Sequence, residues 1–402
     1  MKRKIAAIDV GTTKVCTIMG TLDSSSGLRI LGVGIAPSHG IEKALVANVT
    51  QAKESIRQSV KKAEMMAGYR LDSAYIGVTG KHISSMNNRG TIAITKSDQL
   101  VRPDDLKRVL DVALNIKAPA DRKMLHVIPR AYMLDGHEVK NPVGMHGYEL
   151  NVEAHVITAA VASVQNLTKC INAVGIEIDD LVLEPLASAE AVLTEEEKQA
   201  GVLIADIGGG TTDIAVMKDG SIYHTSVLPV AGHQITRDIA AGLGLSFELA
   251  EEMKKKYGSL VPAEEEEADK IIGENGHSVS YRDLCEIIRA RVEEMIRLVV
   301  LELPRTDYAR LIPAGIVLTG GCSNLPGIVE LTQSITRLPV RIGIPPTLNG
   351  VSNALLNDPA YATSVGLLLW KMKNENSASQ KWVETRQTGI KGFFASLLRL
   401  FR

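Results

Sequence analysis

The sequence predicts an α/β protein built from two related halves. Three observations carry that reading. Short apolar runs rich in β-branched residues alternate with longer segments whose apolar residues recur at helical spacing. A strand–Asp–x–Gly–turn–strand pattern occurs twice, at Asp9 and at Asp206, 197 positions apart (206 minus 9). A third strand, Ile316 to Thr319, runs into the paired glycines Gly320 and Gly321.

Taken in order, Ile5 to Met19 reads as strand, tight turn and strand, broken at Gly11-Thr12-Thr13. Residues 50–67 read as a helix with Ile56, Val60, Ala63 and Met66 on one face and Gly68 beyond its end. Pro103 opens a helix over 103–116, where Leu106, Val109, Leu110 and Ala113 share a face. Ser280-Tyr281-Arg282-Asp283 resembles a capping box and opens a helix to about Glu302. Its apolar stripe is Leu284, Ile287, Ile288, Val292, Met295 and Val299. The acidic run Glu264 to Glu267 reads as a solvated loop.

Composition narrows the class. The chain has 402 residues, enough for two or three domains, with 45% hydrophobic and 23% charged residues. A net charge of −1 argues against a chain-wide nucleic-acid footprint, so no nucleic-acid partner is expected. Cys16, Cys170, Cys285 and Cys322 form no CxxC pair, which fits a reducing cytoplasm better than a disulfide framework or a zinc site. Met1-Lys2-Arg3-Lys4 is not followed by a signal-peptide core, because Asp9 interrupts the apolar run after four residues. The uncharged stretch Leu311 to Val329 carries Gly, Pro, Ser and Asn, so no spanning helix is expected.

The repeated turns point to an anion. In Asp206-Ile207-Gly208-Gly209-Gly210-Thr211-Thr212-Asp213, the glycines leave backbone N–H groups free to line a concavity. Thr211 and Thr212 add hydroxyls, and Asp206 at the strand end suits a magnesium ion held directly or through its waters. Near the start, Asp9, Gly11, Thr12 and Thr13 repeat the logic, and Lys14 adds a positive charge. The second turn reads as two residues longer than the first. Two facing turns would clamp a polyphosphate from both sides. Gly320 and Gly321 allow close approach to a planar ligand, with a following helix start favouring phosphate.

Together these segments resemble the actin, Hsp70 and sugar-kinase superfamily. Further segments are similar to the FtsA family of bacterial actin-like cell-division proteins. They are Gly77-Val78-Thr79-Gly80-Lys81-His82, Asn141-Pro142-Val143-Gly144-Met145-His146-Gly147, Leu183-Glu184-Pro185-Leu186-Ala187-Ser188 and Leu228-Pro229-Val230-Ala231-Gly232-His233. The resemblance implies an actin-like, ribonuclease H-like fold of two domains with a nucleotide cleft between duplicated halves. It implies subdomain 1A over 1–83, 163–199 and 349–370, and an inserted subdomain 1C over 84–162. Subdomain 2A would cover 200–232 and 303–348, and subdomain 2B 233–302. It also implies ATP with Mg2+ at Asp9, Gly11, Thr12, Thr13 and Lys14 on one side and Asp206, Gly208, Gly209, Gly210, Thr211 and Thr212 on the other. Asp9 and Asp206 would hold the metal through water. Gly320, Gly321 and Ser323 would sit at the adenosine, and Glu251 and Lys254 at ribose and adenine. From spacing alone, Glu251 and Lys254 form a surface ion pair on one helix face. Glu184 is a candidate base for hydrolysis or a buried structural residue; the expectation is nucleotide binding with at most weak turnover.

The end of the chain differs from its body. Three of its four phenylalanines lie in the last ten residues. Ile390, Phe393, Phe394, Leu397, Leu398 and Phe401 fall on one helical face, with Lys391, Arg399 and Arg402 on the other. Fourteen residues span about 21 Å as a helix, too short to cross a membrane but suited to an anionic membrane surface. Residues 371–388, polar from Lys373 onward, read as a flexible linker. The resemblance further implies that this subunit polymerises and anchors the FtsZ ring to the cytoplasmic face of the cell membrane at mid-cell. It would also recruit later division proteins. Arg289 and Arg291 are candidates for the FtsZ C-terminal peptide, although four arginines on that helix also read as a solvated face. Three alternatives remain. Against a related pilus-assembly actin-like protein, the amphipathic tail and the Asn-Pro-Val-Gly-Met segment favour the FtsA family. A sugar or acetate kinase needs no tail. An Hsp70-type chaperone would need a substrate domain after residue 370.

Overall fold

The computed structural model describes residues 3–23, 27–115, 119–261, 271–274, 277–303, 308–351 and 353–376. The tail 389–402 and the acidic run 264–267 lie outside the described residues.

Two sheets share one topology. In the first, strands follow the order Glu177–Leu183, Ser73–Val78, Arg3–Val10, Lys14–Asp23, Gly27–Pro37 and Asn349–Gly350. In the second the order is Ser221–Leu228, Thr212–Lys218, Val202–Ile207, Ile316–Thr319 and Val340–Ile342. Each contains an antiparallel three-strand meander whose first strand pairs in parallel with a later strand, which pairs with another. The strand Ser73–Val78 therefore holds in one sheet the place that Ile316–Thr319 holds in the other. Near-continuous burial of Val202–Ile207 and Ile316–Thr319 is what parallel strands covered on both faces require.

The two turns are of equal length, contrary to the expectation that the second is longer. Asp9 pairs with Cys16 and Asp206 with Asp213. Gly11 N–H donates to the Lys14 carbonyl and Gly208 N–H to the Thr211 carbonyl, both at 3.0 Å. Thr12-Thr13 thus occupies the turn positions of Gly209-Gly210, while Thr211-Thr212 leads into the next strand. Matching the two Thr-Thr pairs by sequence misplaced the register by two residues.

Helices pack mostly where the stripes predict: Ile56, Val60 and Ala63 are buried, but Met66, at the end of its stripe, is 50% exposed, and Ile287 is only partly buried. Asn48 caps Val49–Ala67 through its side chain, and Gly68 closes it with φ 77°. Ser280 caps Tyr281–Leu301, which buries Leu284, Ile288, Val292, Met295 and Val299. The proposed linker is corrected at its start. Helix Ala362–Asn376 runs through residues 371–376. Lys371 donates to the Tyr75 hydroxyl, and Lys373 lies 3.1 Å from Glu190. Those ion and hydroxyl partners give polar residues a reason to stay helical.

The helices Glu184–Val192 and Ala362–Asn376 cross between the sheets. Gly366 sits against the Ala187 carbonyl, where any Cβ would overlap backbone oxygen. Arg341 clasps Glu197 through two bonds of 2.6 Å, and Lys198, only 1% exposed, pairs with Glu190 and Glu195.

Residues 83–160 form a separate four-stranded sheet in the order Ile83–Ala93, Glu149–Ala160, Arg122–Leu134 and His137–Val139. Helix Pro103–Ala113 covers one face. The opposite side meets the edge strand Ser221–Leu228. Ser85 Oγ donates to the Thr225 carbonyl at 2.9 Å, and Asn87 Nδ2 to the Tyr223 carbonyl at 3.3 Å. His155 spans Asn87 Oδ1 at 2.6 Å and Thr225 Oγ1 at 3.0 Å, and burial pushes it down to about 3, so it stays neutral. His126 Nε2 accepts from the Leu183 N–H at 3.0 Å, one residue before Glu184.

Candidate functional site

The two turns meet face to face. A Cβ at Gly209 would overlap the Thr13 methyl, and one at Gly210 would overlap the Thr12 side chain. Neither glycine has positive φ. They are needed for space, not for backbone freedom. Gly320 is needed for both: its φ is 84°, and a Cβ there would overlap Asp206 Oδ1 and lie 2.6 Å from the Ile207 carbonyl. Gly320 thus lays the third turn onto the second.

The strand ends and the crossing helices gather four buried carboxylates. Asp9 is 7% exposed, Glu184 9%, Asp206 8% and Asp213 4%. Burial raises all four above the usual carboxylate range. Mutual repulsion adds to this, most for Glu184, which feels Asp9, Asp213 and Asp206 and is raised well above its ordinary value. Asp213 is pushed up to about 7. Lys14 partly offsets the charge, but its ammonium donates to the Ala360 carbonyl at 2.6 Å and lies 4.9 Å from the Tyr361 ring centroid.

Several predicted donors are already engaged. Thr211 Oγ1 donates to Asp213 Oδ2 at 3.0 Å, and Thr212 Oγ1 to the Val230 carbonyl at 2.7 Å. Ser323 Oγ donates to the Thr319 carbonyl at 2.6 Å. These three hydroxyls hold the turns in shape. Gly321 lies in the open, with only the Ala360 methyl within 4 Å of a Cβ.

Glu251 and Lys254 do not form the surface pair that spacing suggests. Lys254 is 7% exposed. Its ammonium donates to Glu251 Oε2 at 2.6 Å, Thr236 Oγ1 at 2.9 Å and the Gly232 carbonyl at 3.1 Å. Gly232 N–H in turn donates to the Gly208 carbonyl at 3.1 Å, which ties the pair to the second turn.

Arg289 and Arg291 stand well away, on Tyr281–Leu301. Arg289 bonds Glu293 at 3.1 Å and the Leu260 carbonyl at 3.2 Å; Arg291 bonds Asp238 and Glu294. Both are part of a balanced face, and an acidic partner would have to displace these carboxylates.

Sequence reasoning passed over four contributors. Asp213 closes the second motif, and its place opposite Asp206 follows from the equal turns. Thr79 donates to Asp213 across the halves. Cys322 Sγ donates to the Gly208 carbonyl at 3.3 Å, and burial pushes its thiol up to about 11. Gly77 lies against Glu184, whose Oε1 would be 3.0 Å from a Cβ there. Only Gly77 carried a local signal, being a glycine within a strand.

Among the described residues no three of His, Cys, Asp and Glu form a preassembled metal nest. Two aspartates with waters and ligand oxygens remain a fitting donor set for Mg2+, because a cation would relieve the repulsion among four buried carboxylates.

Two half-sheets of one topology, facing aspartate turns and a third glycine turn define a protein of the actin-like fold, with a cleft between duplicated halves. Solved structures agree with that class. One is the PilM–PilN type IV pilus biogenesis complex (TM-score 0.65, 16% identity, 91% of this chain and 98% of that one). Another is MreB5 of Spiroplasma citri bound to ADP (TM-score 0.54, 15% identity, 93% and 99%). Within that class, a model of cell division protein FtsA matches residues 203–366, and a model of the SHS2 domain inserted in FtsA matches 80–158. Cell division protein FtsA of Pseudomonas aeruginosa is 42% identical over 380 residues, covering 93% of this chain and 90% of its own. That of Bacillus subtilis is 35% identical over 381 residues, covering 93% and 85%. The chain belongs to the FtsA family of cell division proteins. Family membership decides among the alternatives that the residues alone left open.

Proposed function

We propose that this chain is an ATP-binding actin-like scaffold. It polymerises, anchors the FtsZ ring to the cytoplasmic face of the cell membrane at mid-cell, and recruits later division proteins. The observation that supports it most is the meeting of two related aspartate turns beneath Gly320, in a chain of this family. MreB5 of Spiroplasma citri, of the same fold, is described bound to ADP and to AMPPNP.

In this reading Gly11 to Lys14 and Gly208 to Gly210 hold the phosphates, and Asp9 and Asp206 hold Mg2+ through water. Lys254 and Glu251 take the ribose and adenine side, with Gly320 and Gly321 beneath the base. Bound Mg-ATP supplies a polyanion and a cation that join the two turns. The chain's own residues then set the rate. Burial, and then the charges of three neighbouring carboxylates, hold Glu184 well above the usual carboxylate range and favour its protonated form. A protonated carboxyl is a poor base, which supports at most weak hydrolysis. Membrane attachment rests on 389–402; among the described residues no helix is long and apolar enough to cross a membrane. Six apolar side chains at about 1.5–3 kcal/mol each, set against the ordering of about 14 residues, give one tail weak and reversible binding. Many tails on one polymer bind strongly. Arg289 and Arg291 are the proposed contacts for the FtsZ peptide.

Sedimentation of FtsZ with anionic liposomes and ATP tests the whole. Full-length protein should pellet FtsZ, and a 1–388 truncation should pellet neither itself nor FtsZ. Pelleting of the truncation would overturn the tail assignment. Pelleting of the full chain without FtsZ would overturn the partner.

A further inference from the structure

The crossing helices carry three buried hydroxyls that the nucleotide reading leaves unused. Ser364 Oγ donates to Asp9 Oδ2 at 2.7 Å. Thr363 Oγ1 donates to Asp206 Oδ2 at 2.9 Å, and Ser188 Oγ donates to the same oxygen at 2.6 Å. Ser188 and Thr363 also lie 2.9 Å apart. Ser188 and Ser364 are fully buried and Thr363 is 8% exposed.

This arrangement is unusual for helical Ser and Thr, which ordinarily turn to solvent or bond the carbonyl four residues back. The chain itself shows the ordinary pattern at Thr332 and Thr336. At 363 and 364 the hydroxyls instead reach residues 157 and 355 positions away. Adjacent positions on one helix, about 100° apart around its axis, thus serve one aspartate from each half of the molecule. The bonds also orient the carboxylates. Both occupy Oδ2. The Oδ1 atoms lie toward the glycine turns, that of Asp206 against Gly320 and that of Asp9 3.9 Å from a Cβ on Gly11. Gly366 pins the same helix to Ala187 less than one turn later.

We propose that Thr363 and Ser364 are positioning residues for metal-bound nucleotide: from a single helix they fix Asp206 and Asp9 with Oδ1 turned into the cleft. This rests on the nucleotide reading above. The hydroxyls touch neither phosphate nor base, so their contribution falls on the metal-dependent part of the affinity. A hydrogen bond to a charged group is worth roughly a tenfold change in an equilibrium constant or more.

The test uses the full chain and a fluorescent ATP analogue, titrated with Mg2+ and again in EDTA, on wild type, Thr363→Ser, Thr363→Val and the double variant T363V/S364A. The double variant should bind the analogue at least about tenfold more weakly with Mg2+ and within about twofold of wild type in EDTA. Thr363→Ser, which keeps the hydroxyl, should match wild type in both. An unchanged Mg2+-dependent affinity would overturn the proposal, as would equal losses with and without Mg2+, which mark a merely structural role. If the double variant does not fold, Thr363→Val against Thr363→Ser decides the question by the same criterion. Failure of wild type to bind the analogue at all would instead overturn the nucleotide reading.

Discussion

Replacing Asp213 by Asn should make the nucleotide-free protein more stable at pH 8 and leave it nearly unchanged at pH 5. Asp213 is 4% exposed and sits opposite Asp206. Burial is the main cause that raises it from 3.8 to about 7; Asp206 and Asp9 add to the rise, while hydroxyls from Thr79 and Thr211 oppose it. The sign follows from linkage. Well below pH 4, folded and unfolded chains both hold the proton. Between pH 4 and 7 the unfolded chain ionises and the folded chain does not, so stability falls as pH rises. Above pH 7 the cost is complete. At about 1.4 kcal/mol per tenfold, it is on the order of 4 kcal/mol. Asparagine has no proton to lose, and it also lifts one of the charges that raises Glu184. It exchanges two charge-assisted hydroxyl bonds for weaker ones, at about 1–2 kcal/mol. The expected net gain is about 2 kcal/mol at pH 8, read as a thermal midpoint higher by a few degrees. Melts in EDTA at pH 5, 6.5 and 8 measure it. A difference between variant and wild type that is the same at all three pH values would refute the reasoning, and so would a loss at pH 8.

Lys254→Met keeps the buried stem but removes the ammonium from Glu251, Thr236 and the Gly232 carbonyl. It should cost about 3 kcal/mol in urea denaturation, as expected for breaking a buried pair, and weaken nucleotide binding about tenfold. Normal nucleotide affinity would separate Lys254 from the site. Gly366→Ala places a methyl on the Ala187 carbonyl, and backbone on both sides leaves little room to yield. Destabilisation of about 3 kcal/mol or more is expected from such overpacking, seen as lost soluble yield or a lowered melting point; a wild-type melt would mean that the helices do not cross as described.

Much of the fold was readable because it is encoded locally. The cap at Ser280 and the glycines at 68 and 320 act over a few residues, and the duplicated turns announce the two halves. The turn register was misread because identical Thr-Thr pairs outweighed ladder pairing, which only the sheet reveals. The site was half legible for the same reason. Asp9 and Asp206 stand in recognisable motifs, whereas Cys322 at the Gly208 carbonyl, Thr79 at Asp213, and Thr363 and Ser364 at the aspartates are contacts across 114 to 355 positions with no spacing to betray them. Spacing alone puts Lys254 at the surface, while the resemblance puts it at the nucleotide, because a Glu–Lys pair three apart has the same pattern whether wet or buried; helix Gly232–Leu243 against its neighbour decides burial.

The insert's hold on Ser221–Leu228 bears on how deletion experiments should be read. That strand ends its sheet, and a bare edge offers its carbonyls and amides to any other chain. Here Ser85 and Asn87 occupy the outward carbonyls of Thr225 and Tyr223, and Arg130 stacks on the Tyr223 ring at 4.4 Å. Excising residues 83–160 would strip these protectors and leave a sticky border on the second half. Aggregates or fibres formed by such a shortened chain would then report strand-to-strand adhesion, and would say little about whether the intact subunit assembles through its natural contacts.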